Sequence, residues 1–225
     1  MSGNGRERSR VVRGRYAAVV VGLAVSLAAC SSGGPPDPAA SEATVAGPSS
    51  AAPATATVAD RPFGPGCGQF PAGGPGSLAD LRTALMVTGA SRNPQLRTLV
   101  HALTAATLVD TLNSTGNITV LAPSDAAFQA LPPSSLSKLM ADVPRLTAVL
   151  THHVIPGRLG PARFAGPHTT LDNDSVTVSG AGDAFTISGD QTVSGRPAHV
   201  VCGDIPTVNA TVYVIDQVLK PQHLG

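Results

Sequence analysis

Two hydrophobic rhythms divide the chain. Between residues 77 and 150 apolar side chains recur every three or four positions, the period of helices packed on one side. Leu78, Leu81, Leu85 and Met86 form one such face behind Ser77, whose hydroxyl suits a helix cap. Asn93-Pro94 restarts the chain, because asparagine caps well and proline is tolerated in a first turn. Leu96, Leu99, Val100 and Leu103 line the helix expected there, and Leu108, Val109 and Leu112 a short one ending near Gly116. Leu136 and Leu139 follow Pro132-Pro133, and Pro144 opens a helix through Leu146, Val149 and Leu150. His152, His153, Val154 and Ile155 then read as a strand. After Gly160 the period falls to two. Short alternating runs at 169–171, 176–178, 185–187, 191–193 and 199–201 are split by Gly, Asp, Asn and Ser, as in hairpins. Residues 211–215 form the last strand, with Val212 and Val214 on one face, and Val218 and Leu219 close the sheet. Helices first and strands later predict an α+β fold rather than a doubly wound sheet.

Residues 118–131, ITVLAPSDAAFQAL, join the two rhythms. Ile118, Val120 and Ala122 alternate with Thr119 and Leu121 as in a buried strand. Ala122-Pro123 ends it, since proline disfavours helical backbone before it and offers no N–H donor. Ser124 is placed to cap the next helix, with Asp125 at its positive end. Phe128 and Leu131 sit one helical step apart and return to the core.

The segment TVLAPSDAAF resembles the first signature of the fasciclin (FAS1) domain, and residues 209–221, NATVYVIDQVLKP, resemble the second. Between them, residues 150–157, LTHHVIPG, are similar to the family's central Tyr-His segment, with His152 where tyrosine is usual and His153 at the family histidine. Three segments in the right order, within residues 77–222, make the resemblance specific. It implies the FAS1 wedge: two small β-sheets meeting at an angle, with the N-terminal helices packed alongside. It also implies structural roles for Pro123, Ser124, Asp125, Phe128 and His153. The chain resembles bacterial cell-surface fasciclin lipoprotein antigens of the mycobacterial type.

The ends have a different composition. Five arginines in residues 6–15 precede an apolar run over 17–29, too short for a comfortable membrane span. The run ends in Leu27-Ala28-Ala29-Cys30, which resembles a lipobox, so residues 1–29 are expected to be a lipoprotein signal peptide. Cys30 would become the acylated N-terminus, and two or more acyl chains anchor far better than one. Residues 30–76 are rich in Pro, Ala, Gly, Ser and Thr and are expected to be a disordered tether to a domain over 77–225. Hydrophobic residues are 42% of the chain and aromatics only 3%, which predicts an aliphatic core. Without the five arginines and Glu7 ahead of Cys30, 10 basic side chains face 13 acidic ones, formally −3. That balance, with no basic stripe and few aromatics, argues against nucleic acid.

With Cys30 assigned to lipid, Cys67 and Cys202 remain, an even pair in an oxidising compartment, and a disulfide between them is expected. So long a loop would be stabilised by on the order of 5 kcal/mol in the chain-entropy picture. Free thiols or a metal pair are the alternatives; the metal lacks a second Cys or His at ligand spacing. Some secreted bacterial fasciclin proteins are similar in having such a bridge.

Chemistry-bearing motifs are few. Adjacent histidines on a strand point to opposite faces, so His152 and His153 are read as structural rather than as a shared ligand pair. Ser124-Asp125 lacks a Gly-x-Ser-x-Gly elbow, and no His-Glu-x-x-His, phosphate loop or dinucleotide fingerprint occurs. Asp172, Asn173, Asp174, Asp183 and Asp190 are better turn residues than calcium ligands, lacking the glycine and distal glutamate of an EF-hand. No catalytic residue, metal or cofactor is implied. Asp204-Ile205 matches a pair implicated in integrin binding by animal members of the family, although Pro206 departs from the pattern, and a strand-entry turn with Ile205 half buried is the competing reading. The expectation is a monomeric protein, lipid-anchored on the outer face of the cell membrane and also released. It would act without catalysis in adhesion or recognition of a host matrix or receptor protein or an envelope polymer. A carrier of an envelope lipid or other apolar ligand is the alternative, and a hydrolase the second.

Overall fold

The computed structural model describes residues 61–224. Among the described residues, seven helices, α1 Leu78–Arg82, α2 Met86–Ala90, α3 Arg97–Ala105, α4 Val109–Ser114, α5 Asp125–Gln129, α6 Pro133–Ala141 and α7 Val143–His152, accompany seven strands. The strands are β1 Ile118–Pro123, β2 Val154–Pro156, β3 Gly166–Thr169, β4 Ser175–Ala181, β5 Ala184–Ile187, β6 Ala198–Pro206 and β7 Ala210–Ile215. Their order is β2-β1-β7-β6-β5-β4-β3. Only β1 and β7 run parallel; the other pairs are antiparallel. The α+β expectation therefore holds. The two halves of the sheet are continuous, because β6 belongs to both. Its register with β7 shifts between Val200 and Cys202 and again between Cys202 and Ile205, so β6 is where the pairing turns irregular. One bond, Leu171 N–H to Val154 O at 2.8 Å, reaches from the far end of the order back to β2, so the sheet nearly closes on itself.

Alternation along β1 and β7 feeds two cores. Ile118, Val120, Ala122, Val212 and Val214 face the helices and join Leu99, Leu103, Phe128, Leu146 and Val149. Leu121, Tyr213 and Ile215 face the opposite way and join Phe164, Val176, Phe185 and Ile187. The first core is aliphatic apart from Phe70 and Phe128. The second is not: Phe164 stacks on Tyr213 with ring centroids 3.7 Å apart and meets Phe185 edge-on at 5.1 Å. The scarce aromatics are thus concentrated on one side of the sheet.

Several boundaries differ from the sequence reading, mostly because the groups that set them come from far along the chain. The helix expected from Ser77 through Met86 breaks in two. Ser77 does cap α1 by accepting from Asp80 N–H, but Leu85 is extended and α2 starts afresh. Its first-turn donors are taken by distant amides: Met86 N–H bonds Asn209 Oδ1 at 2.8 Å, and Val87 N–H bonds Asn113 Oδ1 at 3.2 Å. Asn93 does not cap α3. It is fully buried, donates to Gly76 O and accepts from Gln95 N–H, holding a turn ahead of α3. Residues 169–171 give way to β3 slightly upstream. Residues 191–193 form no ladder strand; Gln191 ends a 3-10 turn and Thr192 makes an isolated bridge with Leu219.

Residues 61–76, expected in the tether, pack on the body. Phe63 pairs with Gly203, a 3-10 turn spans Pro65–Gln69, and Phe70 is buried. Gly76 has φ +79, and a Cβ there would sit 2.3 Å from Arg92 O, so both the left-handed backbone and the close approach require glycine. The expectations for residues 1–60, including the signal peptide and Cys30, lie outside the described residues.

Candidate functional site

The strand-turn-helix at residues 118–131 forms a buried joint. Pro123 ends β1, and Ser124 Oγ accepts from Ala127 N–H at 3.3 Å, capping α5. Asp125 does more than face its own helix dipole. Its Oδ1 accepts from Thr98 N–H at 2.8 Å, capping α3, and its N–H bonds Gln95 O. Phe128 is buried in the helix-side core. These residues bind two helices to the central strands and leave Ser124 committed to backbone.

His152 and His153 do not lie on a strand. His152 is the last residue of α7 and His153 its C-cap, so the opposite-face argument does not apply to them. His153 is buried, with Nδ1 2.7 Å from Val149 O and Nε2 accepting from Leu219 N–H at 3.0 Å. These partners define the neutral tautomer protonated at Nδ1. Burial holds its pKa down at about 3, with His152 adding to the shift against the Val149 bond. His153 therefore fastens the end of α7 to the C-terminal segment. His152 is fully buried beside Asp174, and burial lowers its pKa despite the carboxylates of Asp174 and Asp172. Ser124 and His153 lie in separate hydrogen-bond arrangements rather than a shared one.

Cys67 and Cys202 are joined by a disulfide, with Cα atoms 4.9 Å apart, which binds the 3-10 turn at Pro65–Gln69 to β6. Asp204 and Ile205 fall inside β6, not in a strand-entry turn. Ile205 is fully buried and Asp204 is 4% exposed with φ +53, so neither presents an open contact surface. Asp204 instead contributes to the lining of a groove of about 910 Å³. Phe63, Pro161 and Pro206 give it apolar lining, and Arg61, Arg163 and Asp183 charged lining. Arg158 holds the loop at one side through guanidinium bonds to the carbonyls of Thr207, Val208 and Ala210. No sequence signal marked Arg158, because its partners are main-chain atoms about 50 residues away. A second groove of about 640 Å³ lies beside α6, lined by Leu139, Arg145 and Lys220 among others.

A profile of the Fasciclin domain matches residues 94–221. The chain belongs to the fasciclin family. Among relatives of this fasciclin protein, the cell surface glycolipoprotein MPB83 of Mycobacterium bovis is 40% identical over 218 residues, covering 91% of this chain and 94% of that one. The immunogenic protein MPB70 of the same species is 42% identical over 166 residues, covering 70% and 81%. A FAS1 domain pair from the insect cell adhesion molecule Fasciclin I overlaps 56% of this chain and 45% of that one, at 23% identity and a TM-score of 0.45. The names of the mycobacterial relatives suggest a surface role for this fasciclin protein.

Proposed function

We propose that this fasciclin protein is a recognition module on the outer face of the cell membrane, held by acylated Cys30 and acting as a monomer. Its partner is a host matrix or receptor protein or an envelope polymer, and it binds without transforming what it binds. The groove that Asp204 helps to line carries this reading: apolar Phe63, Pro161 and Pro206 line it together with Arg61 and Arg163. Such a mixture suits an apolar anchor flanked by acidic groups. Ser124 and His153, on which a hydrolase reading would draw, are bonded to backbone donors and acceptors instead. The relatives' description as cell surface glycolipoproteins supports the location.

The test is binding of the detergent-purified full chain to immobilised matrix proteins and envelope extracts. Arg163→Glu and Pro161→Asp are expected to weaken capture about tenfold with the fold intact. Equal capture by both variants and the parent would remove the groove from the reading. Cys30→Ser is expected to move the protein from membrane to medium, and unchanged retention would remove the anchor. The carrier reading rests on the groove volume, which lies in the range of small-ligand pockets. Mass spectrometry of an organic extract of the purified protein separates it from adhesion, through a stoichiometric lipid or none.

A further inference from the structure

Three segments distant in sequence meet at the end of α7. The helix ends with His152, the turn between β3 and β4 carries Asp172 and Asp174, and the C-terminal 3-10 turn carries His223. The His152 ring is fully buried, yet neither of its nitrogens has a hydrogen-bond partner. Its Nδ1 lies 3.8 Å from Asp174 Oδ2, beyond hydrogen-bond range. Asp172 Oδ2 is likewise buried without a hydrogen bond. His223 Nε2 is 3.5 Å from that oxygen, and His223 Nδ1 is 3.7 Å from Asp174 Oδ2.

Donor atoms of His152, Asp172 and Asp174 all lie within 4.8 Å of one another. Nitrogen and oxygen ligands of a tetrahedral zinc ion, each about 2.0–2.1 Å from the metal, stand about 3.4 Å apart. The observed separations, up to 4.8 Å, are wider than that, and side-chain rotations at the exposed His223 and at Asp172, whose Oδ2 has no hydrogen bond, draw the set together. The two aspartates alone would be ordinary turn residues. A buried imidazole aimed at them with both nitrogens unbonded is what points to a ligand, since buried polar atoms are nearly always satisfied. The Asp174 carboxylate is held in place: its Oδ1 accepts from Ser175 N–H, and its Oδ2 from Gln222 N–H.

We infer that His152, Asp172, Asp174 and His223 form a site for a first-row divalent cation of the zinc class. Two imidazoles and two carboxylates match borderline ions, whereas calcium and magnesium favour oxygen alone. An ion there would give His152 Nδ1 a partner and tie the C-terminal turn to the β3–β4 turn. It is independent of the recognition groove.

The experiment strips the full chain with EDTA in detergent and titrates it with zinc, calcium and magnesium by calorimetry, with thermal melts alongside. One equivalent of zinc is expected to bind and raise the melting temperature; calcium and magnesium are expected to do neither at the same concentration. His152→Phe and Asp174→Asn should weaken zinc binding by at least about tenfold and abolish the rise in melting temperature. His223→Ala, at an exposed position, gives the same readout with no burden on the core. The inference is overturned by no zinc binding at micromolar concentrations, by calcium binding tighter than zinc, or by folded variants that bind zinc as the parent does.

Discussion

Acidification should loosen this fold well before its carboxylates titrate, because of His153. The ring is buried, donates from Nδ1 to Val149 O and accepts from Leu219 N–H at Nε2. A second proton would land on Nε2, facing a donor that has no other acceptor there. Burial, which penalises the charged ring, depresses the folded pKa to about 3, while the unfolded ring titrates near its ordinary 6.5. Between these values the unfolded chain binds a proton that the folded one refuses. The contribution is therefore fully present above pH 6.5 and is lost as pH falls toward 3, by about 1.4 kcal/mol per unit. From pH 7 to pH 5 the loss is about 2 kcal/mol, a large part of the ~5–15 kcal/mol typical of a domain. His152, also lowered by burial, adds a loss of the same sign. Urea unfolding at half-unit pH steps, in EDTA, measures the slope. His153→Gln should be less stable at pH 7 and show a shallower slope. A parent whose stability stays flat from pH 6.5 to 5, or a folded His153→Gln protein with the parent's slope, would refute the reasoning.

Other positions give sharper single tests. Asn209 is buried and makes three bonds, accepting from Met86 N–H and donating to the carbonyls of Leu112 and Thr115. Asn209→Ala should cost about 2–4 kcal/mol by leaving these groups unpaired, read as a shift in urea midpoint with unchanged m-value. Gly76→Ala should destabilise by at least about 1–2 kcal/mol, since it combines a positive φ with backbone contact at 2.3 Å; a neutral melt would contradict the packing of residues 61–76. Replacing both Cys67 and Cys202 by alanine should cost about 2–5 kcal/mol, and dithiothreitol should lower the parent's melting temperature but not the variant's.

What could be read from the sequence was mostly local. Ser77 and Ser124 cap their own helices, so residue type and position sufficed. Alternation along β1 and β7 was legible because each residue's face follows from its parity. Asp125 was half legible: its place at a helix start is local, but its bond to Thr98 N–H spans 27 residues. The break before α2 was hidden for the same reason, since Asn209 and Asn113 supply the cap from afar. Residues 61–76 looked like tether because composition carries no trace of a strand partner at Gly203. His152 and His153 read as strand because they adjoin β2, whereas α7 runs through His152 and β2 starts only at Val154. The meeting of His152 with Asp172, Asp174 and His223 obeys no motif spacing, only the return of the β3–β4 turn and the chain end to one place.

The bridge between Cys67 and Cys202 determines how the body would bear a mechanical load. Traction applied ahead of Arg61 passes through the sulfurs straight into β6, the strand shared by both halves of the sheet. Every helix from α1 to α7 sits inside the covalent ring so formed, shielded from being drawn out in line. Drag on a displayed domain would thus be met at its central strand rather than by peeling its first residues away.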